Sequence, residues 1–108
     1  MSTEPFHVTD ANFEETLKKN KVVFIDFWAS WCGPCRALAP TIVELAKEYS
    51  GKVLIGKLDV DENPSAAERF KVFSIPTMIL FKDGCETERL VGLCPKNHIS
   101  ETLNKHSV

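Results

Sequence analysis

Val22-Val23-Phe24-Ile25-Asp26-Phe27-Trp28-Ala29-Ser30-Trp31-Cys32-Gly33-Pro34-Cys35 runs from one kind of local structure directly into another. Val22 to Ala29 is rich in β-branched and aromatic residues and apolar on both faces, which is the pattern of a central buried strand. From about Gly33 to Tyr49 the apolar positions change period: Leu38, Ile42, Leu45 and Tyr49 follow one another at helical spacings. Cys32 and Cys35 therefore stand at a strand-to-helix junction. Thiols three positions apart at a helix start have Cβ atoms roughly 5–6 Å apart, within reach of disulfide geometry. The unpaired N–H groups at that helix end also favour a thiolate at Cys32. Such a pair can cycle between dithiol and disulfide while the chain stays folded.

Outward from this junction the elements follow in order. Phe6 to Val8 reads as a short strand, and Thr9-Asp10 offers N-cap oxygens to a helix ending near Lys19, with Phe13 and Leu17 on one face. Pro40 lies inside the second helix and is expected to kink it, and Gly51 is placed to end it in a left-handed conformation. Val53 to Leu58 is a third strand. Asn63-Pro64 opens a short helix to about Phe70. Thr77 to Phe81 and Thr87 to Val91 flank Asp83-Gly84 and form a hairpin, and Lys96 to His106 is an amphipathic helix burying Ile99 and Leu103. Helical crossovers require parallel pairing and the hairpin adds antiparallel strands, so the fold class is α/β with a mixed sheet and helices on both faces.

The chain has 108 residues, the size of one domain spanning 1–108, with no internal repeat or linker. With 44% hydrophobic and 26% charged residues it can cover one core with a polar shell. A net charge of −2 and the lack of a polybasic run give no reason to expect nucleic acid or an acidic membrane as partner. Met1 to Val8 shows no basic-then-apolar leader pattern, and Val22 to Ala29 is too short to span a bilayer. A cytoplasmic location is expected, although a secreted form with its leader removed would read the same way.

Disulfide exchange needs an accessible thiolate and a second thiol that releases the product. Cys32 is the natural attacker, and Cys35, one turn inside the helix, should be more buried. Gly33-Pro34 supplies a tight apolar bridge without a histidine to favour the reduced form, which argues for a reductant. The competing reading of a CxxC pair is half of a structural zinc site. Cys85 and Cys94 form no second such pair and no histidine is close in sequence, so redox chemistry is the better reading. Asp26 shares a strand face with Val22, Phe24 and Trp28. A carboxylate desolvated there would have a raised pKa and could accept a proton near neutral pH, with Lys57 on the next strand partly offsetting its burial. An Asp at a solvated bulge would do nothing of the kind, and local pattern leaves both readings open. Ile75-Pro76-Thr77 precedes the fourth strand, and on local sequence alone that X–Pro bond favours trans.

Trp31-Cys32-Gly33-Pro34-Cys35, with Phe27-Trp28-Ala29 before it and Asp26 in that strand, resembles the thioredoxin family. So do Asp59-Val60-Asp61-Glu62-Asn63-Pro64, Ile75-Pro76-Thr77, Phe81-Lys82-Asp83-Gly84 and Val91-Gly92, in matching order along nearly the whole chain. The resemblance implies the thioredoxin fold, a central mixed five-stranded sheet flanked by four helices, and protein-disulfide reductase activity with no bound cofactor. Cys32 carries over as nucleophile, Cys35 as resolving thiol, and Asp26 as the carboxylate assisting proton transfer, with Lys57 beside it. Pro76 carries over as a cis-proline facing the disulfide, with the Ile75 backbone pairing to an extended substrate. Trp31, Gly33, Pro34, Ile75, Pro76 and Gly92 form the apolar rim. The implied partners are disulfide-containing proteins and a separate thioredoxin reductase, of NADPH–flavin or ferredoxin type, because this chain has no nucleotide or flavin fingerprint. A monomer is expected.

Three positions depart from the family pattern. Arg36 replaces a lysine and keeps the charge; Ala37 is small where a larger apolar residue is usual and should loosen packing under the site; Leu93-Cys94 stands where alanine and a polar residue are usual. Cys85 and Cys94 flank the fifth strand, too far apart to pair, and are read as unpaired thiols; the sharper alternative places Cys94 at the rim as a modifiable thiol. Two other functions compete with a reductase: a disulfide oxidase or isomerase, and a redox-independent binding module using the rim around Trp31, Ile75 and Pro76.

Overall fold

In the computed structural model, which describes residues 4–107, strand β2 (Val22–Trp28) is paired along both edges. On one side it runs parallel to β3 (Leu54–Asp59), which in turn pairs with β1 (Phe6–His7). On the other it runs antiparallel to β4 (Thr77–Lys82), which forms a hairpin with β5 (Cys85–Val91). The resulting order is β1-β3-β2-β4-β5, a five-stranded mixed sheet. Four helices complete the described residues: α1 (Phe13–Lys19), α2 (Gly33–Glu48), α3 (Pro64–Arg69) and α4 (Lys96–His106). The expected α/β architecture is therefore present, with element ends within one or two residues of the sequence reading except at α1, which begins at Phe13. Met1 to Thr3, part of the segment read for a leader, lie outside the described residues.

Alternation along β2 divides the core in two. Val22 and Phe24 pack with Leu38, Ile42 and Leu45 of α2 and with Ile99 and Leu103 of α4. Val23, Ile25 and Phe27 pack with Phe13 and Leu17 of α1 and with Ala66 and Ala67 of α3. Each such buried aliphatic or aromatic side chain contributes roughly 1.5–3 kcal/mol of transfer free energy, and both layers bear on this one strand. Gly56 lets the edge strand in: a Cβ there would lie 2.7 Å from Val8 Cγ2 and 3.3 Å from Phe6 O. In the hairpin, Asp83 and Gly84 adopt φ of 53° and 82°, the left-handed pair that a two-residue turn requires. Leu80 pairs with Glu88 and Phe81 with Glu86, so Thr87 is the extra residue of a bulge.

The capping expected at α1 is made elsewhere. Thr9 and Asn12 bond one another, Thr9 N–H donating to Asn12 Oδ1 at 2.8 Å and Asn12 N–H to Thr9 Oγ1 at 3.1 Å. Asp10 instead reaches across the fold to α3, accepting from Ser65 N–H at 3.1 Å and Ala66 N–H at 2.8 Å. Asn63, the local cap candidate for α3, makes no side-chain cap bond to that helix; its Oδ1 accepts from Asp10 N–H at 3.0 Å. A carboxylate at a helix N-terminus satisfies orphan donors and meets the positive end of the helix dipole. Local spacing carries no information about a cap supplied from 55 residues away. Replacement of Asp10 by alanine is expected to lower the unfolding free energy by about 1–2 kcal/mol in a urea titration; a loss of less than a few tenths would mean that this cap contributes nothing.

Candidate active site

The parallel strands β2 and β3 end together, and the loops that follow them build one surface. After Trp28 the chain makes a tight turn, with Cys32 N–H donating to Ala29 O at 3.2 Å, and α2 begins at Gly33. Cys32 is the N-cap residue of α2, and its Sγ accepts from Cys35 N–H at 3.2 Å. Pro34 in the first turn gives up no hydrogen bond, because the first N–H groups of a helix have no partner in any case. Cys32 and Cys35 form a disulfide with Cα atoms 5.2 Å apart. The expected difference in burial between them is absent in this oxidised state, since Cys32 is 4% exposed and Cys35 3%.

The opposite wall comes from the segment entering β4. The Ile75–Pro76 bond is cis, and Ile75 O lies 3.7 Å from Cys32 Sγ. Gly92, with φ of 91°, donates its N–H to Pro76 O at 2.8 Å, which ties the end of β5 to the same corner. Trp31 is 66% exposed, Gly33 and Pro34 are exposed, Ile75 and Gly92 half-buried and Pro76 buried. Of the residues read as a rim, Trp31, Gly33 and Pro34 therefore adjoin Cys32 in the chain, while Ile75 meets its sulfur and carries Pro76 and Gly92 to the same corner.

Two neighbours were given no role at the site by the sequence reading. Asp61 Oδ2 accepts from Trp31 Nε1 at 2.8 Å, and Asp59 Oδ1 holds the Asp61 N–H at 2.9 Å. The signal was available: carboxylates directly after β3 must sit beside the loop after β2, because the two strands are parallel neighbours. Phe73 is the other, 88% exposed two residues before Ile75. Of the departures, Arg36 is exposed and donates to Ser30 O at 3.0 Å. Ala37 is also exposed, which corrects the expectation that it lies under the site. Cys85 and Cys94 are unpaired; Cys85 is exposed, whereas Cys94 is half-buried against the α2–α4 core with its Sγ 3.5 Å from Gly92 O. Among the described residues no cluster of His, Cys, Asp or Glu could hold a metal ion, and no helix is long and apolar enough to cross a membrane.

Asp26 is 0% exposed, and neither of its carboxylate oxygens has a hydrogen-bond partner. The solvated-bulge reading is therefore excluded. No hydrogen bond ties it to Cys35. Its cross-strand neighbours are Met78 and Lys57. Burial pushes its pKa up to about 7, against a smaller downward pull from the Lys57 ammonium. Lys57 does not make a direct ion pair; its Nζ stands 4.4 Å from the centre of the Trp28 ring. The sign of the resulting pH dependence follows from linkage. The folded state keeps this proton up to about pH 7 while the unfolded chain releases it near the ordinary carboxylate value of 3.8, so stability is greatest in acid and falls as pH rises between the two. At about 1.4 kcal/mol per pH unit, the loss from this group amounts to roughly 3–4 kcal/mol. The stability of Asp26→Asn relative to wild type should rise by about that much from pH 4 to pH 7.5 in denaturant titrations; a difference that stays flat with pH would contradict the assignment.

Comparison with known proteins gives the same picture. The Thioredoxin family model matches residues 4–105. The thioredoxin of Staphylococcus haemolyticus is 54% identical over 99 residues, spanning 92% of this chain and 94% of that one, and the thioredoxin of Staphylococcus aureus is 52% identical over the same length. Among solved structures, a mutant thioredoxin from Halobacterium salinarum superposes with a TM-score of 0.90 at 34% identity, covering 98% of this chain and 93% of that one. The chain belongs to the thioredoxin family, and its Cys32–Cys35 pair is the redox-active centre of a thiol–disulfide oxidoreductase.

Proposed function

We propose that this single-domain protein reduces disulfides in other proteins, with Cys32 as the attacking thiolate and Cys35 as the resolving thiol. The observation that carries this reading is a disulfide at a helix start with a backbone carbonyl 3.7 Å from Cys32 Sγ. In the reduced protein the Cys35 N–H that now meets Cys32 Sγ is available to stabilise a thiolate there. Cys32 attacks one sulfur of the target disulfide, a mixed disulfide forms, and one target thiolate leaves and takes up a proton. Cys35 then gives its proton to Asp26 and attacks Cys32 Sγ, which breaks the mixed disulfide and releases the second target thiolate. Two electrons pass to the target, and the Cys32–Cys35 bond stores the oxidation.

Asp26 suits its role because a carboxylate with a pKa near 7 is part ionised at neutral pH and can take a proton and return it. Lys57 tunes that carboxylate through space. Ile75 offers a target both backbone groups of an unpaired position: among the described residues its N–H has no partner, and its O faces the sulfur. Trp31, Gly33, Pro34, Ile75, Pro76 and Gly92 then accept varied apolar neighbours of the target cysteine. Re-reduction falls to a thioredoxin reductase of NADPH–flavin or ferredoxin type, which brings two electrons and two protons. No bound cofactor enters the cycle, the working form is a monomer, and the reducing conditions it serves are those of the cytoplasm.

With dithiothreitol as electron source, the wild-type protein should accelerate insulin reduction, and Cys32→Ser/Cys35→Ser should fall to the uncatalysed rate. A wild-type protein that gives no acceleration would remove the reductase reading and leave redox-independent binding in its place. For Asp26→Asn, stopped-flow measurement should find resolution of the mixed disulfide slowed by about 10–100-fold at pH 7. The deficit should shrink as pH rises, because hydroxide then removes the Cys35 proton without help from Asp26. Equal rates across pH would remove Asp26 from proton transfer.

A further inference from the structure

Three bulky apolar side chains stand out from the surface within two residues of the corner where Cys32 meets Ile75. Trp31 directly precedes Cys32, Leu93 directly follows Gly92, and Phe73 lies two residues before Ile75; they are 66%, 56% and 88% exposed. The Cα atom of Phe73 is at most about 7 Å from that of Ile75, since two residues span no more.

Phe73 is not exposed because its segment is loose. On its N-terminal side, Arg89 Nη2 donates to Phe70 O at 2.7 Å while its guanidinium is held by Glu86 at 2.8 Å. The Phe70 ring packs against Phe13 and Phe81 at 5.3 and 5.2 Å between centroids, and Val72 N–H donates to Ala67 O at 2.8 Å. On its C-terminal side, Thr77 Oγ1 donates to Ser74 O at 2.6 Å, and Pro76 O is bonded to Gly92. The backbone on both sides of Phe73 is fixed, and the ring is held out into solvent. With the backbone already fixed, binding has only the two side-chain torsions of this aromatic left to order.

We propose that Phe73 is a specificity-determining residue that selects targets carrying a bulky apolar side chain two positions from the cysteine to be reduced. This inference rests on the reductase reading above and names the substrate class of that same site. The occupant follows from the backbone. If an extended target segment pairs with Ile75 and presents its half-cystine to Cys32, its residues two positions away lie on the same face about 7 Å along it, and Phe73, across the bend at Ser74 to Pro76, is within the same reach of Ile75. The relation holds for either strand direction, which decides only whether the target residue on the Phe73 side precedes or follows the cysteine. Trp31 and Leu93 extend the apolar surface around the same corner.

The test uses two symmetrical disulfide-linked peptide dimers, identical except for leucine or serine two positions to each side of the single cysteine. Second-order rate constants for their reduction by the prereduced protein are compared. Wild type should favour the leucine peptide by about tenfold, in the range of one apolar side chain binding an apolar surface. Phe73→Ser should bring the ratio close to one, and Phe73→Leu should keep most of the preference. A ratio near one for wild type, or an undiminished ratio in Phe73→Ser, would overturn the proposal. So would sedimentation showing that wild type self-associates and Phe73→Ser does not, which would assign the patch to a second copy of this chain. Hydroxyethyl disulfide, too small to reach Phe73 from Cys32, reports on the dithiol alone. Failure of the wild-type protein to reduce it would overturn the reductase reading itself, and this inference with it.

Discussion

Everything at the reactive end of the molecule is referred to strand β2, which has a partner strand on each edge and a packed layer on each face. A strand constrained in this way cannot slip: a shift of one residue would exchange Val22 and Phe24 with Val23, Ile25 and Phe27 between the two cores. Cys32 lies four residues beyond its end, after a turn closed by a backbone bond to Ala29 O. The sulfur therefore has a fixed address. The helix that follows inherits its direction from the same turn and presents its unpaired N–H end to that sulfur.

The same rigidity explains why a carboxylate can be kept where water cannot reach it. Asp26 takes the place of a core side chain in the face that carries α2, and its raised pKa reflects that position more than any partner. A buried group without hydrogen bonds is costly. The fold tolerates it because two apolar layers and two strand interfaces contribute far more than one group removes. A carboxyl that exchanges its proton near neutral pH suits the proton transfer proposed for Asp26, which would make stability and chemistry meet at one residue.

Around the sulfur, four chain segments converge: the β2–α2 turn, the loop after β3, the entry to β4 near Ile75 and the end of β5 near Gly92. Trp31 bonds the first to the second through Asp61, Gly92 bonds the fourth to the third through Pro76, and Arg89 bonds Phe70 beside them. The exposed apolar side chains among them are consequently displayed on a firm base. Under the proposed function, a surface of this kind would receive many partners through backbone pairing while still weighing the side chains beside the reacting cysteine.

Much of this was legible in the order of residues. Alternation in β2, the change to helical period after Gly33, the Cys32–Cys35 spacing and the Asp83-Gly84 turn are local patterns, and local sterics and solvation decide them. Asp26 was visible as a charge in an apolar strand, but local pattern left its surroundings open. Those depended on which strands and helices covered that face. Asp10 capping α3, Asp61 holding Trp31, the outward-facing Ala37 and the pinned, exposed Phe73 were decided only when distant segments met. Hydrogen bonds across 30 or 55 residues leave no periodic trace in a sequence, because the chain between them is shaped by its own neighbours and not by the contact it closes.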